Sequence, residues 1–414
     1  MITKLYLENF RSIVKDEVEL GKITILTGPN NSGKSSIIYG LLALKNVVLN
    51  PNQSLDGCLT LGFINLGGFS QTVHLKDEDL NILLGIDVLG DGADSQYSAL
   101  LGKKRSELRL KTLKPFQTSL NLEVSFPYPA NRNTGCEVKG DFGIAKITWN
   151  GVTSTINIEK GESTEKENEQ NILNEVLIEK ELSDSLNAPI EELRAVDFVP
   201  LRRGFMKPIY SSVPMQQQLL TEDELATLLS SDRDLEGKVA NYLEKILENR
   251  VFQVRFTPGT GNFSLQSRDR STALVCDLVN EGFGTNQLVT ILTKSLRKEM
   301  HTICIEESEI HLHPELMDKL VNAFIEITRE EDKSFIISTH SEHIVLSLLN
   351  KVAQKKINPN DICIYYLSKE GKKTKIEKQE INEKGQIKGG LKGFYETELK
   401  EVREFFNKIG RAHV

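Results

Sequence analysis

Apolar positions follow two rhythms along this chain, and the first 45 residues show both. "KLYLENF" and "KITILTG" have strand-like patterns, and "FRSIVKDEVEL" between them has the form of a short hairpin around a charged turn. From "SSIIYGLLALKNV" the apolar spacing becomes helical. Residues 50–155 are rich in Gly and Asn and hold alternating segments such as "SLNLEVSF" and "IAKITWNGVTSTINIEK", predicting an antiparallel sheet that continues the N-terminal half. Residues 159–187 are the most charged stretch. Both signs alternate there and apolar residues return at Ile172, Val176 and Leu177, which predicts a solvated loop followed by a surface helix. Residues 220–249 have helical periodicity with Thr221 as N-cap and Glu224 at the capping-box position, predicting a helical subdomain. Two short apolar runs, Thr302–Ile305 and Phe335–Ile337, read as buried strands that end abruptly in polar residues. There is no internal repeat and no sustained heptad run.

Composition narrows the class. A chain of 414 residues can hold two or three domains, and 39% apolar with 26% charged residues is ordinary for a soluble protein. No apolar run reaches membrane-spanning length and "MITKLYLENFRS" lacks a signal-peptide pattern, so a cytoplasmic location without membrane contact is expected. Cys58, Cys136, Cys276, Cys304 and Cys363 are scattered without C-x-x-C spacing, so reduced thiols are expected. The net charge of −7 offers nucleic acid no global attraction, and DNA contact would need a local basic patch.

Three clusters carry candidate chemistry. In "GPNNSGKSS", Gly28, Gly33, Lys34 and Ser35 match G-x-x-x-x-G-K-[ST]. A strand before it and a helix after it put the loop backbone from Asn30, Asn31 and Ser32 to Ser36 around a phosphate chain. Lys34 would reach the β- and γ-phosphates and Ser35 would bind Mg²⁺. Second, the strand "TICIE" delivers Glu306 and Glu307, one suited to a metal-bound water and the other to the attacking water. His311 and His313 beside Glu309 suggest a metal set, but a turn entering a helix with Pro314 in its first turn explains the segment without one. Third, "STH" ends a strand, where His340 could hydrogen-bond a γ-phosphate or a water, while His343 reads as structural.

These pieces in this order resemble a known family. "GPNNSGKSS" resembles a Walker A motif, "ICIEE" a Walker B with the catalytic glutamate of ABC-class ATPases, and "STH" their switch-histidine loop. "LYLENFRS" and "IEESEIHLHP" resemble the RecF, SMC and OLD-type branch. Within it, "LGGFSQTVH", "VPLRRG", "NEGFGTNQLVTIL" and "GQIKGGLKGFYE" resemble bacterial AAA ATPases often encoded with antiviral defence partners. The resemblance implies an α/β ABC-type P-loop head with a mixed sheet, an antiparallel β subdomain and a helical subdomain, without a long coiled coil. It divides the chain into 1–158 (Walker A half with the β subdomain), 159–270 (linker, strand and helical subdomain), 271–350 (signature, Walker B and switch half) and 351–414 (C-terminal strand and helix extension). Glu306 falls at the Mg²⁺-contacting acid, Glu307 at the catalytic base and His340 at the γ-phosphate sensor. Residues 280–287, "NEGFGTNQ", take the place of the signature loop, with Gly282 and Gly284 presenting backbone to the partner subunit's ATP. Arg11 would lie near the nucleotide, and Gln71 could contact Mg²⁺ or be a sheet-turn residue.

An ABC-class arrangement implies a homodimer, or a higher oligomer, with ATP and Mg²⁺ sandwiched in composite sites. The leading expectation is an ATPase sensor that controls a separate effector, a nuclease or toxin. The acids after the third strand (Asp361, Glu370, Glu377, Glu380, Glu383) are too dispersed for a nuclease domain. The alternatives are a RecF-like clamp using "GKKRSELRLKTLK" as a DNA track, a run that also reads as a solvated strand face, and a transporter ATPase subunit. The terminal "GRAHV" is assigned nothing.

Overall fold

A computed structural model describes residues 1–90, 93–114, 120–125, 134–140, 143–159, 169–215 and 221–390. The helix expected in the C-terminal extension and the end of "GQIKGGLKGFYE" lie outside the described residues. The central sheet has the strand order Val196–Val199, Thr302–Glu306, Ser334–Thr339, Ile23–Thr27, Ile362–Glu370, Lys373–Gln379. The first five are parallel, and the last two form an antiparallel hairpin.

Burial on both faces explains why these strands read as continuous apolar runs. Alternate residues enter two different cores. Leu26, Cys304 and Ile336 join one, with the helix Lys34–Leu49 and the N-terminal antiparallel sheet. Ile25, Ile303, Ile305 and Ile337 join the other, with the helices Phe283–Leu296, Pro314–Glu330 and Glu342–Ala353.

The N-terminal antiparallel sheet has six strands and begins with the expected hairpin, Ile2–Phe10 paired with Ile13–Glu19. A three-stranded sheet over Thr134–Glu159 extends this β subdomain. Residues 50–81 depart from the expected sheet. They form two four-residue helices, Leu55–Cys58 and Phe69–Thr72, and a 3₁₀ turn at His74–Lys76 before the sheet resumes at Ile82. The glycines and polar residues that resembled hairpin punctuation instead cap these turns: Ser54 accepts from the Gly57 amide and Asp56 from the Phe69 amide.

The helix after the charged stretch spans Glu169–Arg194, and its last turns are buried through Leu186, Ile190 and Leu193. It therefore packs along the β subdomain rather than standing away as a coiled-coil arm. The helical subdomain is two helices, Glu222–Ser231 and Arg233–Leu247, split by Asp232, which caps the second. The Thr221–Glu224 capping box is present. The whole is the mixed-sheet α/β head with antiparallel and helical subdomains that the motifs led us to expect. Among the described residues, no helix is long and apolar enough to cross a membrane.

Candidate functional site

The three motif strands end together. Thr27 pairs with Thr339 and Ser338 with Glu306, so the loop, the acids and the switch histidine leave the same edge of the sheet. Carboxyl ends of parallel strands are where α/β sheets bind ligands.

The loop from Gly28 to Gly33 is built for close backbone approach. Gly28 has φ 138° and a Cβ there would lie 2.1 Å from the Leu367 carbonyl oxygen; Gly33 has φ 108° and a Cβ would lie 2.6 Å from Thr374 Oγ1. Asn31 also adopts positive φ, 62°. The C-terminal hairpin thus closes over the loop. Thr374 Oγ1 donates to the Ser32 carbonyl at 2.9 Å and lies 2.7 Å from Ser12 Oγ. No side chain caps the helix that starts at Lys34, and its first turn holds no acidic residue, so its positive end is open to an anion. Ser36 continues the helix, its amide donating to the Gly33 carbonyl. The buried Ser32 hydroxyl has no partner, and the exposed Asn30 and Asn31 rim the loop. Lys34 Nζ donates to the carbonyls of Gly28 and Pro29, at 2.8 and 3.0 Å. Burial pulls its pKa down to about 8, against the opposing charges of Glu307 and Glu309.

Tyr39 gathers a second group. Its hydroxyl donates to Glu306 Oε2 at 3.3 Å and also interacts with Ser35, while the Arg11 guanidinium lies 5.6 Å from its ring centroid. Arg11 has φ 55°, and its carbonyl meets His74 Nδ1 at 2.8 Å. Glu306, Ser35 and Arg11 are therefore neighbours through one aromatic side chain that the motif pattern did not single out.

Glu307 leaves the strand at φ 46°, a left-handed conformation costly for a residue with a Cβ. Its amide donates to the Ser338 carbonyl at 2.8 Å. Arg203 holds the other side: Nη1 donates to the Glu306 carbonyl at 2.6 Å and Nη2 to the Glu307 carbonyl at 2.7 Å. Burial lowers the Arg203 pKa to about 10, while Glu309, Glu307 and Glu306 oppose the shift. Within "VPLRRG" no motif gives this arginine a role; its place just after an apolar strand is the one signal in the sequence.

The Glu307 carboxylate lies 3.6 Å from His340 Nε2, with both side chains about one-third exposed. Burial, then Lys34, lower the His340 pKa, so the imidazole is neutral at pH 7. Glu309 Oε1 accepts from Thr339 Oγ1 at 2.6 Å and from the His340 amide at 3.0 Å, while its buried Oε2 has no partner. Glu309 thereby fixes the switch loop. In the sequence Glu309 stands out only as a neighbour of two histidines.

Other residues lie elsewhere. His313 Nδ1 accepts from the Glu315 amide and caps the helix begun by Pro314, and the His311 ring packs at a tilt against Phe283 with centroids 5.4 Å apart. Gly282 and Gly284 stand at the start of the helix Phe283–Leu296, where a Cβ on Gly284 would lie 2.9 Å from the His311 carbonyl oxygen. Gln71 is exposed on the helix Phe69–Thr72, next to Thr72, whose carbonyl accepts from the Arg11 amide. In the basic run, Lys103 pairs with Glu78, Lys104 with Asp79, and Arg105 and Arg109 with Glu107 and Glu123. These four cations are charge-compensated rather than free for a track.

The residues present fit a phosphate chain: two glycine positions closed to any Cβ, an unpartnered buried hydroxyl, an uncapped helix and an ammonium held only by carbonyls. Among the described residues, no three His, Cys, Asp or Glu are grouped to hold an ion by themselves. A divalent cation near Ser35 and Glu306 would complete its shell with phosphate oxygens and water.

Comparison with known proteins follows the same lines. A family model described as "AAA ATPase domain" matches residues 1–345, and one described as "Protein of unknown function (DUF3696)" matches residues 357–405. Endonuclease GajA of Bacillus cereus (strain VD045) is 22% identical over 377 residues, covering 84% of this chain and 57% of that protein. The chain thus spans little more than half the length of that curated relative. Among solved structures, the SMC head domain from Thermotoga maritima matches with 11% identity and a TM-score of 0.43, covering 91% of this chain and 98% of that one. An SmcHead bound to the C-winged helix domain of ScpA matches with 13% identity and a TM-score of 0.49, covering 91% and 97%. Because the first family match takes in the loop, the acidic strand end and the switch histidine, the chain belongs to the AAA ATPase domain family.

Proposed function

We propose that this chain binds and hydrolyses ATP with Mg²⁺ and works as a dimeric switch controlling a separate effector, with a nuclease as the favoured class. One observation carries the reading: Lys34, at an uncapped helix end after a glycine loop, lies within electrostatic reach of both members of the Glu307–His340 pair. In this scheme the loop amides and Lys34 bind and orient the phosphates. Glu307, fixed at both flanking peptides, takes the proton of the attacking water, and neutral His340 hydrogen-bonds the water or the terminal phosphate. Mg²⁺ held near Ser35 and Glu306 supplies neutralising charge to the phosphate oxygens. Gln71 is a further candidate for that ion, through a movement of its short helix.

The switch reading rests on the signature residues standing at a helix start of their own. Gly282 and Gly284 lie at the start of their own helix, so a head-to-tail second copy would place them on the opposite nucleotide. ATP then favours the closed pair and hydrolysis releases it. The relation to Endonuclease GajA supports a nuclease as the class of effector.

Light scattering with and without Mg²⁺–ATP tests this. Glu307→Gln should bind ATP, hydrolyse it about 10²- to 10⁴-fold more slowly, as expected for loss of a general base, and accumulate as the closed dimer. Unchanged turnover in the variant would refute the assignment of Glu307, and unchanged mass would refute the clamp.

A further inference from the structure

The segment leaving the edge strand Val196–Val199 touches both the acidic strand end and the helix that begins at the signature residues. Arg203 is its contact with the acids. Besides the carbonyls of Glu306 and Glu307, its Nη1 reaches the Pro200 carbonyl at 3.1 Å, so the guanidinium ties its own loop to the strand end. The side chain is buried, and its Nε has no partner.

One residue further on, the loop is locked to the signature helix. Gly204 has φ 132°, and a Cβ there would lie 3.2 Å from Asn286 Oδ1. Asn286 Oδ1 accepts from the Phe205 amide at 2.7 Å, and its Nδ2 donates to the Phe205 carbonyl at 2.8 Å and the Leu278 carbonyl at 3.2 Å. This buried amide uses both donors and its acceptor to hold the loop to the first turn of the helix Phe283–Leu296 and to the turn before it. The far end of that helix is fixed to the same strand. Lys294 and Arg297 reach the two carboxylate oxygens of buried Asp197 at 3.0 and 3.1 Å. Strand, loop and helix are thus tied together at both ends, and Arg203 is where they meet Glu307.

We infer that Arg203 is a positioning residue that couples the Gly282–Gly284 loop of a protomer to that protomer's own Glu307. Glu307 sits in a left-handed conformation held from two sides, by Ser338 and by Arg203. A shift of the signature helix, driven by a phosphate of the partner copy's nucleotide, passes through Asn286 and Phe205 to the guanidinium. It changes the direction of the Glu307 peptide and hence of its carboxylate. A second contact acts in the same sense, because Gly284 abuts the His311 carbonyl in the segment that follows Glu307. Each protomer would thus sense, at its own acid, whether its signature loop is engaged.

The inference rests on the ATPase reading, and its test separates the two. Arg203→Lys keeps the charge but cannot donate to both carbonyls in the fork geometry of a guanidinium, and Asn286→Ala cuts the path at its other end. Nucleotide affinity, ATP-dependent mass and steady-state kcat are measured for each variant and for the double variant. Both single variants should bind ATP within about twofold of wild type and still dimerise with ATP. Each should turn over about tenfold more slowly, as for loss of one charge-assisted hydrogen bond, and the double variant no more slowly than the slower single. Should Arg203→Lys unfold, Asn286→Ala carries the same expectation. Wild-type kcat in Asn286→Ala, or losses that multiply in the double variant, would overturn the coupling, as would rate loss that merely tracks lost affinity. A wild type that binds no ATP would overturn the nucleotide reading itself.

Discussion

Proton uptake on nucleotide binding is the sharpest consequence of the loop geometry. Lys34 Nζ is buried and donates to the carbonyls of Gly28 and Pro29. Burial lowers its pKa to about 8, and only the charges of Glu307 and Glu309 oppose the shift. A phosphate in the loop adds negative charge beside the ammonium and raises the pKa again, so nucleotide binds preferentially to the protonated form. Affinity is then flat below pH 8 and falls above it by about one decade per pH unit; between pH 7 and pH 9 the loss is about tenfold. The sign for the fold alone is opposite. A lysine whose folded pKa is depressed binds fewer protons than its unfolded counterpart between about 8 and 10.5, so this group's contribution to stability improves as pH rises through that window. Burial also holds Lys45, on the same helix, down to about 8, but its ammonium donates to the Val196 carbonyl rather than into the loop, while the lowered His340 is already neutral and a phosphate's last proton is lost near pH 6. Titration of a fluorescent ATP analogue across pH 6.5–9.5 reads the affinity, and calorimetry in two buffers of different ionisation enthalpy counts the protons. Constant affinity with no proton taken up at pH 8.5 would refute the argument.

Two other perturbations separate fold from function. Asp197→Ala leaves Lys294 buried without its carboxylate and Arg297 with Glu299 alone, and urea denaturation should show a loss of about 3–5 kcal/mol, the cost of breaking a buried pair by removing one partner; a loss below about 1 kcal/mol would mean that Lys294 finds another partner. Gly282→Ala, by contrast, meets nothing within 4 Å of its new Cβ and keeps an ordinary φ of −58°. Thermal unfolding and ATP affinity of the monomer should be unchanged while ATP-dependent dimerisation weakens, and dimerisation at wild-type strength would place the partner contact elsewhere.

What the sequence made legible was local. The glycine loop, the strand before it and the helix after it are contiguous, so spacing alone locates them. The acidic strand end and the switch strand were visible because strands buried on both faces leave apolar runs that stop sharply at polar residues. The Thr221–Glu224 capping box was likewise a four-residue signal. Residues 50–81 misled because Gly, Asn and Asp punctuate short helical turns as readily as hairpins.

The unseen half of the site is non-local, and its absence from the sequence pattern has a physical cause. Thr374 closes on Ser32 across more than 340 residues, and nothing in "KTKIEKQ" marks one threonine as the lid of a phosphate loop. Arg203 acts through backbone carbonyls, which every residue carries, so its partners leave no trace in the residues it touches. Glu309 differs again. It sits two residues beyond Glu307, yet one carboxylate holds the switch loop while the other faces the imidazole, and only the left-handed turn at Glu307 separates their directions. Motif spacing therefore finds the groups that would touch phosphate, whereas the groups that hold them in place become visible only when distant segments meet. That division explains why the strongest candidate for coupling between copies, Arg203, is a residue no phosphate-binding pattern contains.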